Sequence, residues 1–400
     1  MTTRIRTFNA LMKVICTITL VVILAPWSIG QSAASQVTGG NETVQFLFTS
    51  DVHFGLTKKI FRGAQNVSAA DVNAAMIRVM NRLPALRFPA DGGVRSSKPV
   101  GDFSALVITG DIANREEDGI QPAAASWKQF IGDYQGLLQL KAPDGRSRIR
   151  LLLTPGNHDV SNAIGYRKPM NPERDATAMS GLYNLEMHPV SPVSRENYRY
   201  SSGKIHYAFT LGGIHLVFLN LWPDSSEQAW MERDLAGVDS KTPVLLFAHS
   251  VPDVEARFFT NPNGKHDINP DDKFENLLPE QFRDGKLVTD SALDEQRGFA
   301  RFIRRHPNIK AYFHGNSNWN EFYVYRGPDK DVKLNTFRVD SPMKGNYSAK
   351  DETLLSFQLI SLNPKTATLT VRECLWNTKP LEKTQKVVFG KSVTVSLQVD

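Results

Sequence analysis

Three aspartates, an asparagine and three histidines stand in four short clusters, and their side chains carry the donor atoms that divalent metals take. The clusters are Asp51-Val-His53, Gly110-Asp111, Gly156-Asn157-His158-Asp159 and Ala248-His249. Carboxylate, amide and imidazole together form a mixed oxygen and nitrogen ligand set. Each cluster closes an apolar run: Val44–Phe48, Ala105–Ile108, Ile149–Leu153 and Val244–Phe247. Runs this short, bounded by Gly and Pro, have the pattern of buried strands in an α/β sheet. In such sheets the chemistry gathers at the carboxyl ends of the strands. The clusters are therefore expected to converge on one metal site. Asp and Asn are also common turn formers. Turn chemistry alone does not account for Gly-Asn-His-Asp placed directly behind Leu-Leu-Leu-Thr-Pro.

In this order, Asp51-Val-His53, Gly110-Asp111, Gly156-Asn157-His158-Asp159 and His249 resemble the calcineurin-like metallophosphoesterases, from about Val44 to about Asn320. Any one motif is weak; the ordered set, each member behind a buried-strand pattern, is specific. The resemblance implies an α/β sandwich of two stacked sheets wrapped by helices, and a binuclear centre that hydrolyses phosphate esters. Two cations about 3.5–4 Å apart bind the phosphoryl oxygens and acidify the water between them. On the family pattern Asp111 bridges the metals, Asp51 and His53 hold the first ion, and Asn157 and His249 hold the second. The hydroxide between the metals then attacks phosphorus in line with the departing alkoxide. His158 is implied as the group that stabilises or protonates the leaving oxygen, with a nearby carboxylate orienting its ring.

The last motif departs from the family. Members end with Gly-His-x-His behind a strand, whereas Ile309–Phe313 is followed here by His314-Gly315-Asn316-Ser317-Asn318. Asn316 and Asn318 stand where both ligating histidines are expected. An amide oxygen binds hard cations but holds Zn²⁺ or Fe less well than imidazole. The expected cofactor is therefore a pair of divalent ions, Mn or Fe/Zn, with Mn favoured and a shift toward Mg²⁺ or Ca²⁺ as a further option. His314 is either a substitute ligand or a packed histidine, and packing is the better reading. Asn114 occupies the place of the tyrosine that colours purple acid phosphatases, so a purple iron centre is not expected. His188, His206, His215 and His306 read as structural or exposed. His266, Asn162, Tyr166 and Arg167 lie in loops beside the motifs, where a pocket wall is the functional reading and a solvated loop the plainer one.

The elements that must position these residues follow from the pattern. Strand-like runs alternate with helical segments over Ala69–Leu86, Ser126–Leu140 and Ser226–Leu235, then give way after Asn320 to short alternating strands. Those strands are expected at Asn335–Val339, Thr353–Ser361, Thr366–Val371, Lys386–Val388 and Ser392–Gln398. The organisation read from this is a signal peptide at 1–34, a metallophosphoesterase domain at 35–325 and a β-rich segment at 326–400. That last segment is expected to complete or flank the second sheet, with a small accessory β domain as the alternative. Arg4, Arg6 and Lys13 precede an apolar stretch from Val14 to Ala25, and Ser32-Ala33-Ala34 offers a small-x-small cleavage site. That is a leader for export, to the periplasm or the outside, and the stretch is short for a spanning helix of about 20 residues. Cys16 leaves with it, and Cys374 then has no partner for an intrachain disulfide.

Charge points to no macromolecular partner. Of the formal +6, Arg4, Arg6 and Lys13 lie in the leader, which leaves +3 on a mature chain of about 365 residues. Basic residues are scattered, no nucleic-acid groove is indicated, and Arg301 to Arg305 form a solvated helix face. No further stretch is apolar enough to span a membrane. The functional expectation is an exported metal-dependent phosphodiesterase or phosphatase with a phosphate-ester substrate. The alternative, motivated by Asn316 and Asn318, is a weakened or single-metal relative that serves as a binding protein.

Overall fold

The computed structural model describes residues 43–114, 121–164, 170–255, 282–283, 286–287 and 293–399. The leader, Tyr166, Arg167 and His266 lie outside them. In chain order the strands are β1 (Val44–Thr49), β2 (Thr57–Phe61), β3 (Ala64–Ser68), β4 (Ala105–Thr109), β5 (Arg150–Thr154), β6 (Tyr207–Leu211), β7 (Ile214–Phe218) and β8 (Val244–Phe247). They continue as β9 (Phe282–Arg283), β10 (Lys286–Leu287), β11 (Ile309–His314), β12 (Glu321–Tyr325), β13 (Leu334–Arg338), β14 (Ser356–Asn363), β15 (Thr368–Leu375) and β16 (Val388–Ser396). The helices are α1 (Ala69–Met80), α2 (Ala123–Gly136), α3 (Asn157–Val160), α4 (Met179–Met187), α5 (Ser225–Leu235) and α6 (Leu293–Arg305).

Two six-stranded sheets carry the architecture, in the orders β16-β15-β14-β1-β4-β5 and β12-β13-β11-β8-β7-β6. Strands β1, β4 and β5 run parallel, as do β13, β11, β8 and β7. The edge strands β12 and β6 are antiparallel to their neighbours. This is the mixed α/β class expected from the sequence. Period-two alternation places Phe46 and Phe48 of β1, Val107 of β4, Phe247 of β8 and Phe313 of β11 in one buried cluster. Leu47, Leu106, Leu246 and Tyr312, one residue out of phase, belong to another that includes the helix residues Val72, Met76 and Phe299. Both faces of these strands are covered, so they read as continuous apolar runs. The inter-sheet layer is strongly aromatic. Phe218, Phe247, Phe313 and Phe337 stack along the second sheet at successive centroid distances of 4.8 Å, while Phe46 and Phe48 meet Phe247 and Phe313 edge-on at 5.8 and 5.6 Å. Truncating Phe247 to alanine would cost about 3–5 kcal/mol by the usual scale for a buried aromatic.

Several local expectations shift. Helix α1 stops at Met80, and Leu83–Ala85 forms a separate 3-10 turn. Pro84, with no N–H to give, interrupts the pattern that reads through to Leu86. Helix α2 is Ala123–Gly136, displaced toward the N-terminus of the expected segment. The strands read at 386–388 and 392–398 are one, β16, whose pairing with β15 shifts register between Arg372 and Cys374. The last three strands do not join the same sheet as β13. Strand β14 pairs antiparallel with β1, so β14, β15 and β16 extend the sheet that carries β1, β4 and β5. Among the described residues, no helix is long and apolar enough to cross a membrane.

Candidate metal centre

The parallel strands β1, β4 and β5 of one sheet and β8 and β11 of the other deliver their carboxyl ends to a common seam. There the backbone leaves ordinary strand geometry at once. Asp51, His53 and Asp111 have φ of 55°, 44° and 51°, and Asn316 and Asn318 of 62° and 61°. Left-handed conformations at non-glycine residues cost about 1–3 kcal/mol each and persist where surrounding structure enforces them. Here the enforcement is visible. Asp51 N donates to Gly110 O at 3.0 Å and His53 N to Asp111 O at 2.9 Å, tying the β1 turn to the β4 turn. The β4 and β5 turns touch backbone to backbone: a Cβ on Gly110 would lie 2.3 Å from Gly156 N, and one on Gly156 would lie 2.2 Å from Asp111 N. The Asp159 carboxylate accepts from Gly156 N, Ile112 N and Ala113 N at 2.9–3.1 Å, locking those turns together. Burial pushes Asp159 up to about 7, with the negative charge of Asp111 adding to the rise.

Asp111 sits at the middle of what converges. Its Oδ2 lies 3.5 Å from His53 Nε2, and its Oδ1 lies 3.5 Å from His249 Nε2. Its two carboxylate oxygens thus face different imidazoles. His53 Nε2 is also 3.8 Å from Asp51 Oδ1, and His249 Nε2 is 3.3 Å from the amide oxygen of Asn157. The Nδ1 of His249 is held 2.6 Å from Thr109 O, which fixes the ring and directs Nε2 into the site. Asp51, Asp111 and His249 each offer a ligand atom within 4.8 Å of the others, all buried. His158 stands at the rim of this group, its Nε2 4.0 Å from Asp111 Oδ2 and its backbone N donating to Asp111 Oδ1 at 2.9 Å.

The electrostatics ask for a cation. Burial pushes the Asp111 carboxyl up to about 6; the charge of His249 pulls it back and that of Asp51 adds to the rise. For His249, burial would lower the imidazole, but Asp111 and Asp51 outweigh it and the net direction is up. Asp51 Oδ1 is buried with no hydrogen-bond partner, and so is Asn318 Oδ1. Buried carboxylates in contact with one another require countercharge. The donor set and these oxygens, which lack hydrogen-bond partners, fit divalent metal.

The β11 turn contributes differently from the others. Asn316 meets Asp51 through its main chain, N to Oδ2 at 2.9 Å, rather than through its amide. Asn318 spends its Nδ2 on Asn316 O at 2.8 Å. His314 has both ring nitrogens engaged, Nδ1 with Gly315 O and Nε2 with the Tyr323 hydroxyl, each at 2.9 Å. In this arrangement neither of its nitrogens faces Asp111. Asn114 is fully buried just past the Phe54–Ala113 bridge, with its N donating to Phe54 O. Away from the site, His215 pairs with Asp234, His306 with Glu232, and His206 both pairs with Glu227 and stacks on Trp230. His188 caps α4 in a left-handed conformation. Asn162 is buried in a turn whose N–H goes to Asp175 O.

Two site residues escaped the sequence reading. Lys344 places Nζ 3.2 Å from His158 Nε2, and Ser341 Oγ donates to Asp51 O at 2.7 Å. Both lie just beyond β13, which is parallel to β11 and so ends on the same rim. The strand-end rule that located the other clusters applies to Ser341-Pro-Met-Lys344 as well.

The family model for calcineurin-like phosphoesterases matches residues 44–315. The chain belongs to that family. No curated protein matches the sequence. Among solved structures, Vps29 of Chaetomium thermophilum is similar at a TM-score of 0.34 and 11% identity, over 88% of this chain and 98% of that one. The calcineurin-like phosphoesterase YfkN of Bacillus subtilis gives a TM-score of 0.30 and 11% identity, over 89% and 91% of the two chains. Within this calcineurin-like phosphoesterase, the matched span takes in the turns of β1, β4, β5 and β8 and ends inside the β11 turn at residue 315.

Proposed function

We propose that this calcineurin-like phosphoesterase is an exported, metal-dependent hydrolase of phosphate esters, a phosphodiesterase or phosphatase. The observation that carries the reading is Asp111, with one carboxylate oxygen 3.5 Å from His53 Nε2 and the other 3.5 Å from His249 Nε2. In this reading such a carboxylate would be shared between two cations. Asp51 and His53 would hold one, Asn157 and His249 the other, with Asn318 Oδ1 the available oxygen of the last motif. When bound, divalent cations supply Lewis-acid charge for the phosphoryl oxygens and lower the pKa of a water. The protein's own part is to orient and to move a proton. Thr109 O fixes the His249 ring, and Asp159 holds the Asp111 turn against α3. His158 is placed at the edge of the group, where its ring can serve the leaving oxygen. Oxygen-rich donation from Asn157 and Asn318 favours Mn²⁺ over Zn²⁺. Export rests on the leader pattern, and a mature N-terminus at or near residue 35 in the secreted protein would test it.

The deciding experiment is elemental analysis of the purified chain after equilibration with excess Mn²⁺ and desalting, followed by turnover of mono- and diester substrates. Two ions per chain with turnover supports the hydrolase. Two ions with no turnover of any phosphoester sinks it. One ion or none brings forward the second reading, a weakened or single-metal binding protein. The observation that favours that alternative is the β11 turn, where Asn316 reaches Asp51 by its main chain and no imidazole is offered.

A further inference from the structure

Lys344 is held in place more firmly than a solvated loop lysine requires. Ser341 Oγ, bonded to Asp51 O, accepts in turn from Met343 N at 3.1 Å and Lys344 N at 2.8 Å. The buried Lys58 donates Nζ to Pro342 O at 3.0 Å and Met343 O at 3.4 Å. On the far side, Asn346 N donates to Asn318 O at 2.6 Å. The turn is thus clamped to the β1 turn, to the β2 strand and to the β11 turn. Its lysine is half-buried beside His158, and its charge is felt at Asp111.

An ammonium has only donors, so at 3.2 Å it meets the lone pair of His158 Nε2. The two groups are close enough to face one phosphoryl group together, one oxygen taken by the ammonium and the leaving oxygen by the imidazole. We propose that Lys344 is a phosphate-binding residue of this site, taking a non-bridging phosphoryl oxygen beside His158 and biasing the enzyme toward phosphomonoesters. The bias follows from charge: a monoester is a dianion near neutral pH and a diester a monoanion, and a half-buried cation discriminates between them. The assignment rests on the hydrolase reading and narrows it.

The test uses the full chain loaded with Mn²⁺, as wild type, Lys344→Gln and Lys344→Arg. Inorganic phosphate is titrated calorimetrically, metal content is measured in parallel, and kcat/KM is compared for an aryl phosphate monoester and the matching diester. Lys344→Gln is expected to weaken phosphate binding by about tenfold or more at unchanged metal content, with Lys344→Arg recovering most of it. The monoester-to-diester ratio of kcat/KM should fall in the glutamine variant. Phosphate affinity equal to wild type, no phosphate affinity in the wild type itself, or loss of metal from Lys344→Gln would each overturn the assignment. Metal loss would make the lysine a support of the centre. An unchanged ratio would overturn the monoester bias. Phosphate binding that depends on Lys344 without turnover of any ester would sink the hydrolase reading and leave the lysine assignment standing.

Discussion

The two halves of the centre are built on different terms. The turns after β1, β4 and β5 present side chains, with Asp51, His53, Asp111 and His158 in a connected chain of contacts and the Asn157 amide oxygen turned to His249. The turn after β11 presents chiefly backbone, with the Asn316 N–H on Asp51 and the Asn318 amide folded back on Asn316 O. Both halves contain left-handed residues, but Asn tolerates that conformation better than Asp or His. In the first half the residue types are those of the proposed ligand set, and strain is accepted. In the second, residue type follows from the backbone. A motif position can therefore keep its place in the fold after the reason for its residue has changed.

This contrast can be broken or sharpened by substitution. The largest effect is expected at Asp111→Ala: turnover falls by about a thousandfold or more and bound metal drops below that of the wild type. Wild-type turnover in that variant would remove Asp111 from the centre. His158→Asn is expected to lower kcat by about 10²–10⁴ while elemental analysis finds the metals in place. Loss of metal instead would make the ring a ligand. Asn318→Ala, which deletes a buried oxygen without a hydrogen-bond partner, should weaken Mn²⁺ affinity by about tenfold. Asn316→Gly keeps the main-chain donor and the left-handed geometry, so metal affinity should change by less than about threefold. If glycine at 316 proves as damaging as alanine at 318, the Asn316 side chain is itself used by the centre, and the β11 turn works through side chains as the first half does.

The last test concerns stability and pH. Asp340 is buried beneath the Lys344 turn, and burial pushes its carboxyl up to about 7. Its folded pKa lies above its unfolded one, so the folded state binds the extra proton as pH falls from about 7 toward about 4. Stability from this group therefore rises across that window, by up to about 1.4 kcal/mol per pH unit. Metal-free protein should melt a few degrees higher at pH 5 than a pH-matched comparison with Asp340→Asn would show relative to pH 8. A variant with the same pH slope as wild type would place the titration elsewhere.

The first half was legible in sequence because its clusters follow local strand patterns and use residue types that serve few other purposes together. Val44–Phe48 predicts a strand, and Asp51 and His53 are at its end. The second half was less so, since Asn316 acts through an N–H that every non-proline residue has. Lys344 stands behind a strand as the other clusters do, but its partner His158 is 186 residues away and Ser341-Pro-Met-Lys344 holds no carboxylate or imidazole to mark it as chemical. The order of the first sheet was likewise closed to local reading. Strands β14 to β16 look like any alternating tail, and only tertiary pairing sends them to β1 rather than to β13.

That pairing has a consequence for the order in which the molecule comes into being. Strand β1 lies between β4 and β14, and Asp51 at its end accepts from Ser341, 290 residues later. Until the segment containing β14 has been synthesised, one edge of β1 has no strand to pair with, an open template for misassociation. The Ser341 clamp on Asp51 is also absent until then. The β1, β4 and β5 turns can meet early, but the full rim around Asp111 closes only when two segments far apart in sequence find each other, a slow kind of contact. For a ribosome reading this message, the β1 turn is made long before the Ser341 turn that completes the rim around it.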